Sequence, residues 1–154
     1  MFKKILLTLA LLFSTSLFAG SAIYKVSVNE DFRSALHSIK KTLEDQNLYI
    51  ISKADISGTL ERMKDKLGKA YNKRGYEVAK SIIFCNPFYA NDVMNEDPDM
   101  MALCPLKIML MTKKGKTTAL FVLPSKLAGN SPAKKTLIEV ENKVKEALKK
   151  AGFR

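Results

Sequence analysis

Apolar and polar positions alternate in two different rhythms along this chain, and the switch between them marks out its elements. Residues 23–28, IYKVSV, place Tyr24, Val26 and Val28 on one face, as a strand does. Phe32, Leu36, Ile39 and Leu43 then follow at helical spacing. Asn29 is the expected cap of that helix, Glu30 and Asp31 its acidic first turn, and Asn47 its stop. Leu48 to Ser52 reads as a second strand. Leu60, Met63, Leu67 and Ala70 make a second helical stripe with lysines on the other faces, ended by Lys73-Arg74-Gly75.

Val78 to Phe84 is apolar enough for a central strand. Asn86-Pro87 starts a short helix: asparagine supplies the cap, and proline fits the first turn. Tyr89, Val93 and Met94 are its expected inward residues, and Asp97-Pro98 breaks it. Leu106 to Thr112 and Thr117 to Leu123 form a strand pair joined by the Lys113–Lys116 loop. Ser131-Pro132 opens a last helix with Leu137, Val140, Val144 and Leu148 inward, closed by Gly152. This order predicts an α+β fold: a mostly antiparallel sheet with helices packed on one face.

The N-terminus departs from both rhythms. Lys3 and Lys4 precede an apolar run from Ile5 to Phe13, followed by small residues at Ala19, Gly20 and Ala22. That is the pattern of a secretory signal peptide cleaved near 19–22. The run falls short of the ~20 residues of a spanning helix. Residues 1–22 are thus expected to be removed, leaving 23–154 as one exported, soluble domain in the periplasm, with no membrane span.

The formal charge of +11 is carried mainly by lysines at 62–74, at 107–116 and along the C-terminal helix. It favours anionic partners, small ligands or proteins, among them lipid headgroups, nucleotides and acidic proteins, or is simply a solvated surface. No aromatic-interleaved basic motif points to nucleic acid.

Chemistry-bearing residues are few. Cys85 and Cys104 are the only cysteines, and export would favour a disulfide between them. Closing a loop of about 20 residues would contribute ~3 kcal/mol. Alternatives are two small buried hydrophobes or a redox-active pair, though no CxxC is present. Met94, Met100 and Met101 near Cys104, with Met109 and Met111 beyond, would suit copper(I); strand alternation gives core packing as the other reading. His37, the single histidine, reads as a surface residue, and GxSxG and paired zinc-ligand histidines are missing. Gly129 to Thr136 lacks the second glycine of a phosphate loop. Asn86, Tyr89 and Lys107 are candidate ligand-binding groups, against a cap and a core aromatic.

Ile82 to Ser125 resembles the domain-of-unknown-function family numbered 302. The matching residues are Cys85-Asn86-Pro87, Ala90, Pro98-Asp99, Pro105-Leu106-Lys107 and Pro124, with Tyr24 to Asp31 and the Asp55 turn upstream. The resemblance implies a two-layer sandwich of β-α-β-β-β-β-α type, often a homodimer, with no established reaction and no settled ligand; no cofactor is expected. Cys104 stands where the family usually has leucine, so the cysteine pair cannot be carried over from it. The functional expectation is a non-enzymatic binding or accessory module; the alternative is a thiol-redox or copper-binding protein using Cys85 and Cys104.

Overall fold

The computed structural model describes residues 21–154; the expected signal segment lies outside the described residues apart from its last two positions. Five strands form one sheet: β1 (Ile23–Val28), β2 (Tyr49–Asp55), β3 (Val78–Cys85), β4 (Leu106–Lys113) and β5 (Lys116–Val122). Their spatial order is β1-β5-β4-β3-β2, and every neighbouring pair is antiparallel. The helices are α1 (Phe32–Glu44), α2 (Ile56–Arg62), α3 (Lys64–Leu67), α4 (Pro87–Glu96), α5 (Pro124–Leu127) and α6 (Lys134–Lys150). Short 3-10 turns cover Gly68–Ala70 and Pro98–Leu103. The α+β expectation holds.

Period-two alternation decides which half of each strand is buried. Ile82 and Phe84 of β3, Ile108 and Leu110 of β4, and Ala119 and Phe121 of β5 are shut off from solvent. They join Ala35, Ile39 and Leu43 of α1 with Val140, Val144, Ala147 and Leu148 of α6 in the main core. A satellite core gathers Val93, Ala128, Ala133 and Leu137 under Met100, Met101 and Leu103.

Several local expectations shift. The α1 cap is Asp31, not Asn29: its carboxylate accepts from the Ser34 N–H at 2.9 Å. Asn47 lies beyond the helix end in the left-handed region, φ 57°. Met94, expected inward, is half exposed, while Val93 is buried. Ser131 sits ahead of α6, where its hydroxyl accepts from the Ala133 N–H at 3.1 Å, and the helix itself starts at Lys134. Gly152 does close α6, with φ 87° and its N–H on the Lys149 carbonyl.

The second helical stripe is the largest correction. It breaks into α2, α3 and a 3-10 turn, and Leu60, Met63 and Leu67 stay about 40% exposed instead of packing. Asp55 anchors its start. The carboxylate accepts from the Gly58 N–H and the Ser57 hydroxyl, both at 2.9 Å, and meets the Lys80 ammonium at 2.9 Å. A Cβ on Gly58 would lie 2.9 Å from the Asp55 carboxylate, so a side chain there would push that carboxylate aside.

Candidate functional site

The strand parity that fills the core leaves the other sheet face with its own set of side chains. Reading across the registers, Ser27 pairs with Thr118 and Thr118 with Met111; Lys25 pairs with Leu120, and Leu120 with Met109. Ile83 pairs with Lys107, Ile23 with Val122, and Tyr49 with Cys85. None of the large apolar residues here is fully buried; Ile23 and Tyr49 are about half exposed.

The β4–β5 turn sets the chemistry at one end of this face. Its two residues, Lys114 and Gly115, have φ 51° and 69°. Two successive positive φ values match the tight hairpin turn whose twist suits flanking strands. The predicted four-residue loop is therefore a two-residue turn, and Lys113 and Lys116 become a cross-strand pair. Like charges set directly opposite destabilise a sheet. This pair nonetheless stands in the sequence, and Lys25 and Lys114 join it around one hollow.

That hollow has a volume of about 430 Å³. Lysines 25, 113, 114 and 116 supply its charge, Ser27 and Thr118 its hydroxyls, and Tyr76 and Met111 its apolar side. The Ser27 and Thr118 hydroxyls share a hydrogen bond at 3.0 Å. Lys113 donates to the Arg74 carbonyl, and the Lys114 N–H donates to Glu77 at 2.8 Å. Among the described residues, none of the four ammonium groups pairs with a carboxylate. An anion's charge and acceptor oxygens suit such a wall. Composition reading missed this site because its lysines lie in two stretches nearly ninety residues apart, Lys25 in β1 and the other three in the β4–β5 hairpin; the odd-numbered Lys25 and Ser27, opposite the inward Tyr24 and Val26, were the available signal.

The three ligand-binding candidates do not converge. Asn86 is buried, and its side chain is used by the fold. Its carbonyl accepts from the Phe88 and Tyr89 N–H groups at 2.9 and 3.1 Å, and its amide donates to the Asn47 carbonyl at 2.9 Å. It caps α4 and ties that helix to the end of α1. Tyr89 packs against the main core, where burial pushes its hydroxyl pKa up, helped by Glu139 and Asp92. Lys107 is exposed on the opposite sheet face, paired with Ile83.

Cys85 and Cys104 are free thiols, both half-buried, so the expected disulfide is not formed in this structure. Register supplies the reason. Ile83 faces Lys107 and Phe84 faces Leu106. One further step would set Pro105, not Cys104, opposite Cys85. Burial, followed by the neighbouring Cys85, pushes the Cys104 thiol above its ordinary range. The methionines scatter too: Met100 and Met101 cover the satellite core, Met94 faces solvent, and Met109 and Met111 lie on the sheet face away from the main core. His37 is exposed, as expected.

Comparison with known proteins adds a family. None of the curated proteins matches this chain. The solved crystal structure of an uncharacterized conserved protein DUF302 from Bacillus stearothermophilus superposes with a TM-score of 0.74. It is 18% identical, and the match covers 86% of this chain and 99% of that one. At that identity the likeness shows the fold. The family model described as "Domain of unknown function DUF302" matches residues 24–151, from the first strand to the end of the last helix, and the chain belongs to that family.

Proposed function

We propose that this chain is a non-enzymatic binding module that takes a small organic anion in the lysine-walled hollow of its exposed sheet face. The observation that carries this reading is the Lys113–Lys116 cross-strand pair, with Lys25 and Lys114 beside it and no carboxylate partner for any of the four among the described residues. Unrelieved repulsion in a sheet is a local inconsistency of the kind that functional sites carry. An anion would relieve it. Met111 and Tyr76 would cover a flat or apolar part of the same ligand, and the Ser27 and Thr118 hydroxyls would donate to its oxygens.

A thermal-shift titration with inorganic phosphate, a nucleoside monophosphate and citrate tests this directly. At least one should raise the melting temperature, and Lys25→Gln with Lys116→Gln should weaken that ligand tenfold or more. No shift with any of the three would remove the reading. Metal or redox work by Cys85 and Cys104 has less support: burial raises the Cys104 thiol, whereas a reactive thiolate needs lowering.

The N-terminal pattern belongs to the same reading. Residues 1–22 act as a secretory signal and deliver the domain to the periplasm, so N-terminal sequencing of the mature protein should begin between residues 20 and 23. A homodimer is also part of it, with β2 as an edge strand at which two copies can pair. Sedimentation of the purified protein measures that state.

A further inference from the structure

The stripe that failed to pack has a charge pattern of its own. From Thr59 to Ala70 every residue is exposed, a run found nowhere else among the described residues. Within it, Leu60, Met63 and Leu67 are 41%, 41% and 38% exposed, and Ile56 before them is 39% exposed. They fall at helical spacing, yet no residue of α2, α3 or the following turn is buried. Arg62, Lys64, Lys66 and Lys69 are interleaved with them, and Lys73 and Arg74 follow. Of these six cations only Lys64 meets a carboxylate among the described residues, that of Glu61 at 3.4 Å. Glu61 is further held by the Tyr71 hydroxyl. The Lys113 side chain donates to the Arg74 carbonyl, which joins this segment to the lysine-bearing β4–β5 turn and makes the charge continuous across one end of the molecule.

We infer that α2, α3 and the turn after them form a docking element for an anionic lipid bilayer surface. Apolar side chains in a row, flanked by lysine and arginine, are what an interfacial helix presents: the row enters the headgroup boundary and the cations meet the phosphates. Charge complementarity selects this occupant. A second copy would bring another chain of formal charge +11 against this basic ridge. Six cations against the two carboxylates of Glu61 and Asp65 leave the segment from Ile56 to Arg74 strongly basic, which favours an anionic surface. This inference is independent of the anion hollow, whose lysines 25 and 116 it does not use.

Vesicle co-sedimentation tests it, using the domain from Ser21 onward, which holds the five strands and both cores of the described residues and omits the apolar N-terminal run. Binding is expected to vesicles with 30% phosphatidylglycerol in phosphatidylcholine, and at least tenfold weaker binding to phosphatidylcholine alone. Leu60→Ser with Met63→Ser and Leu67→Ser should reduce the anionic binding tenfold or more. Arg62→Gln with Lys64→Gln, Lys66→Gln and Lys69→Gln should do the same while leaving the apolar row intact. The inference is overturned if the wild-type domain stays in the supernatant with anionic vesicles, or if both multiple variants, folded by circular dichroism, still bind. A wild-type dimer that the serine variant dissolves would also overturn it, in favour of a second copy.

Discussion

The two faces of the sheet are made by the same strands, yet they do opposite work. Phe121 is 1% exposed and meets the helices; its neighbours Leu120 and Val122 face the other way, and Val122 is 41% exposed. One face is a sealed hydrophobic layer under α1 and α6. The other mixes methionine, isoleucine and leucine with lysine and hydroxyl groups and is never sealed. Antiparallel sheets allow this division because alternate residues are independent. The lesson is that stability and recognition can be assigned residue by residue along one strand.

Adjacent substitutions in β5 give the sharpest test. Phe121→Ala should cost about 3–5 kcal/mol, because it empties a buried aromatic site, whereas Leu120→Ala should cost roughly 1 kcal/mol. Denaturant unfolding of the two variants measures both, and equal losses would break the comparison. Next in size is Asn86. Removing its side chain in Asn86→Ala should cost about 1–3 kcal/mol, since two helix N–H groups and the Asn47 carbonyl lose a partner. Asn86→Asp keeps the cap but sets a carboxylate oxygen against the Asn47 carbonyl at a buried position, so it too should be less stable than wild type.

A pH titration probes the anchor of the exposed ridge. The Gly58 N–H, then Lys80 and Ser57, hold Asp55 down to about 2. A carboxylate lowered in the folded state favours folding above its unfolded range, near 4, and loses that contribution as pH falls toward 2. Carboxyl carbon chemical shifts should therefore show Asp55 titrating near 2 rather than near 4. The smallest effect is expected on the ridge itself. Leu60→Ser and Leu67→Ser should each change stability by less than about 0.5 kcal/mol, because both side chains lie at the surface and neither joins a core.

Much of this fold was legible because local patterns and final packing agree. The five strands stand close to where the apolar pattern put them, although β2 runs on to Asp55, three residues past the expected Ser52, and Asn86-Pro87 starts a helix as its residue types require. Asp31 took the cap from Asn29 because the carboxylate three residues before Ser34 reaches its N–H; either residue type would serve, and only the chain's path chooses. The Leu60–Leu67 stripe misled for a deeper reason. Helical periodicity reports that a face is apolar, not that protein covers it. The lysine hollow was hidden because it depends on register: Lys25 meets the hairpin only when β1 pairs with β5 across most of the domain.

That pairing has a temporal side. The Ser27 backbone exchanges two hydrogen bonds with Arg154, N–H to carbonyl in both directions, at 2.9 and 3.0 Å. The first strand of the domain thus has neighbours drawn from β5 and from the segment just past α6. Contacts of such long sequence separation form slowly. The first strand therefore waits, as the domain folds, for partners that lie from Thr117 onward in the chain.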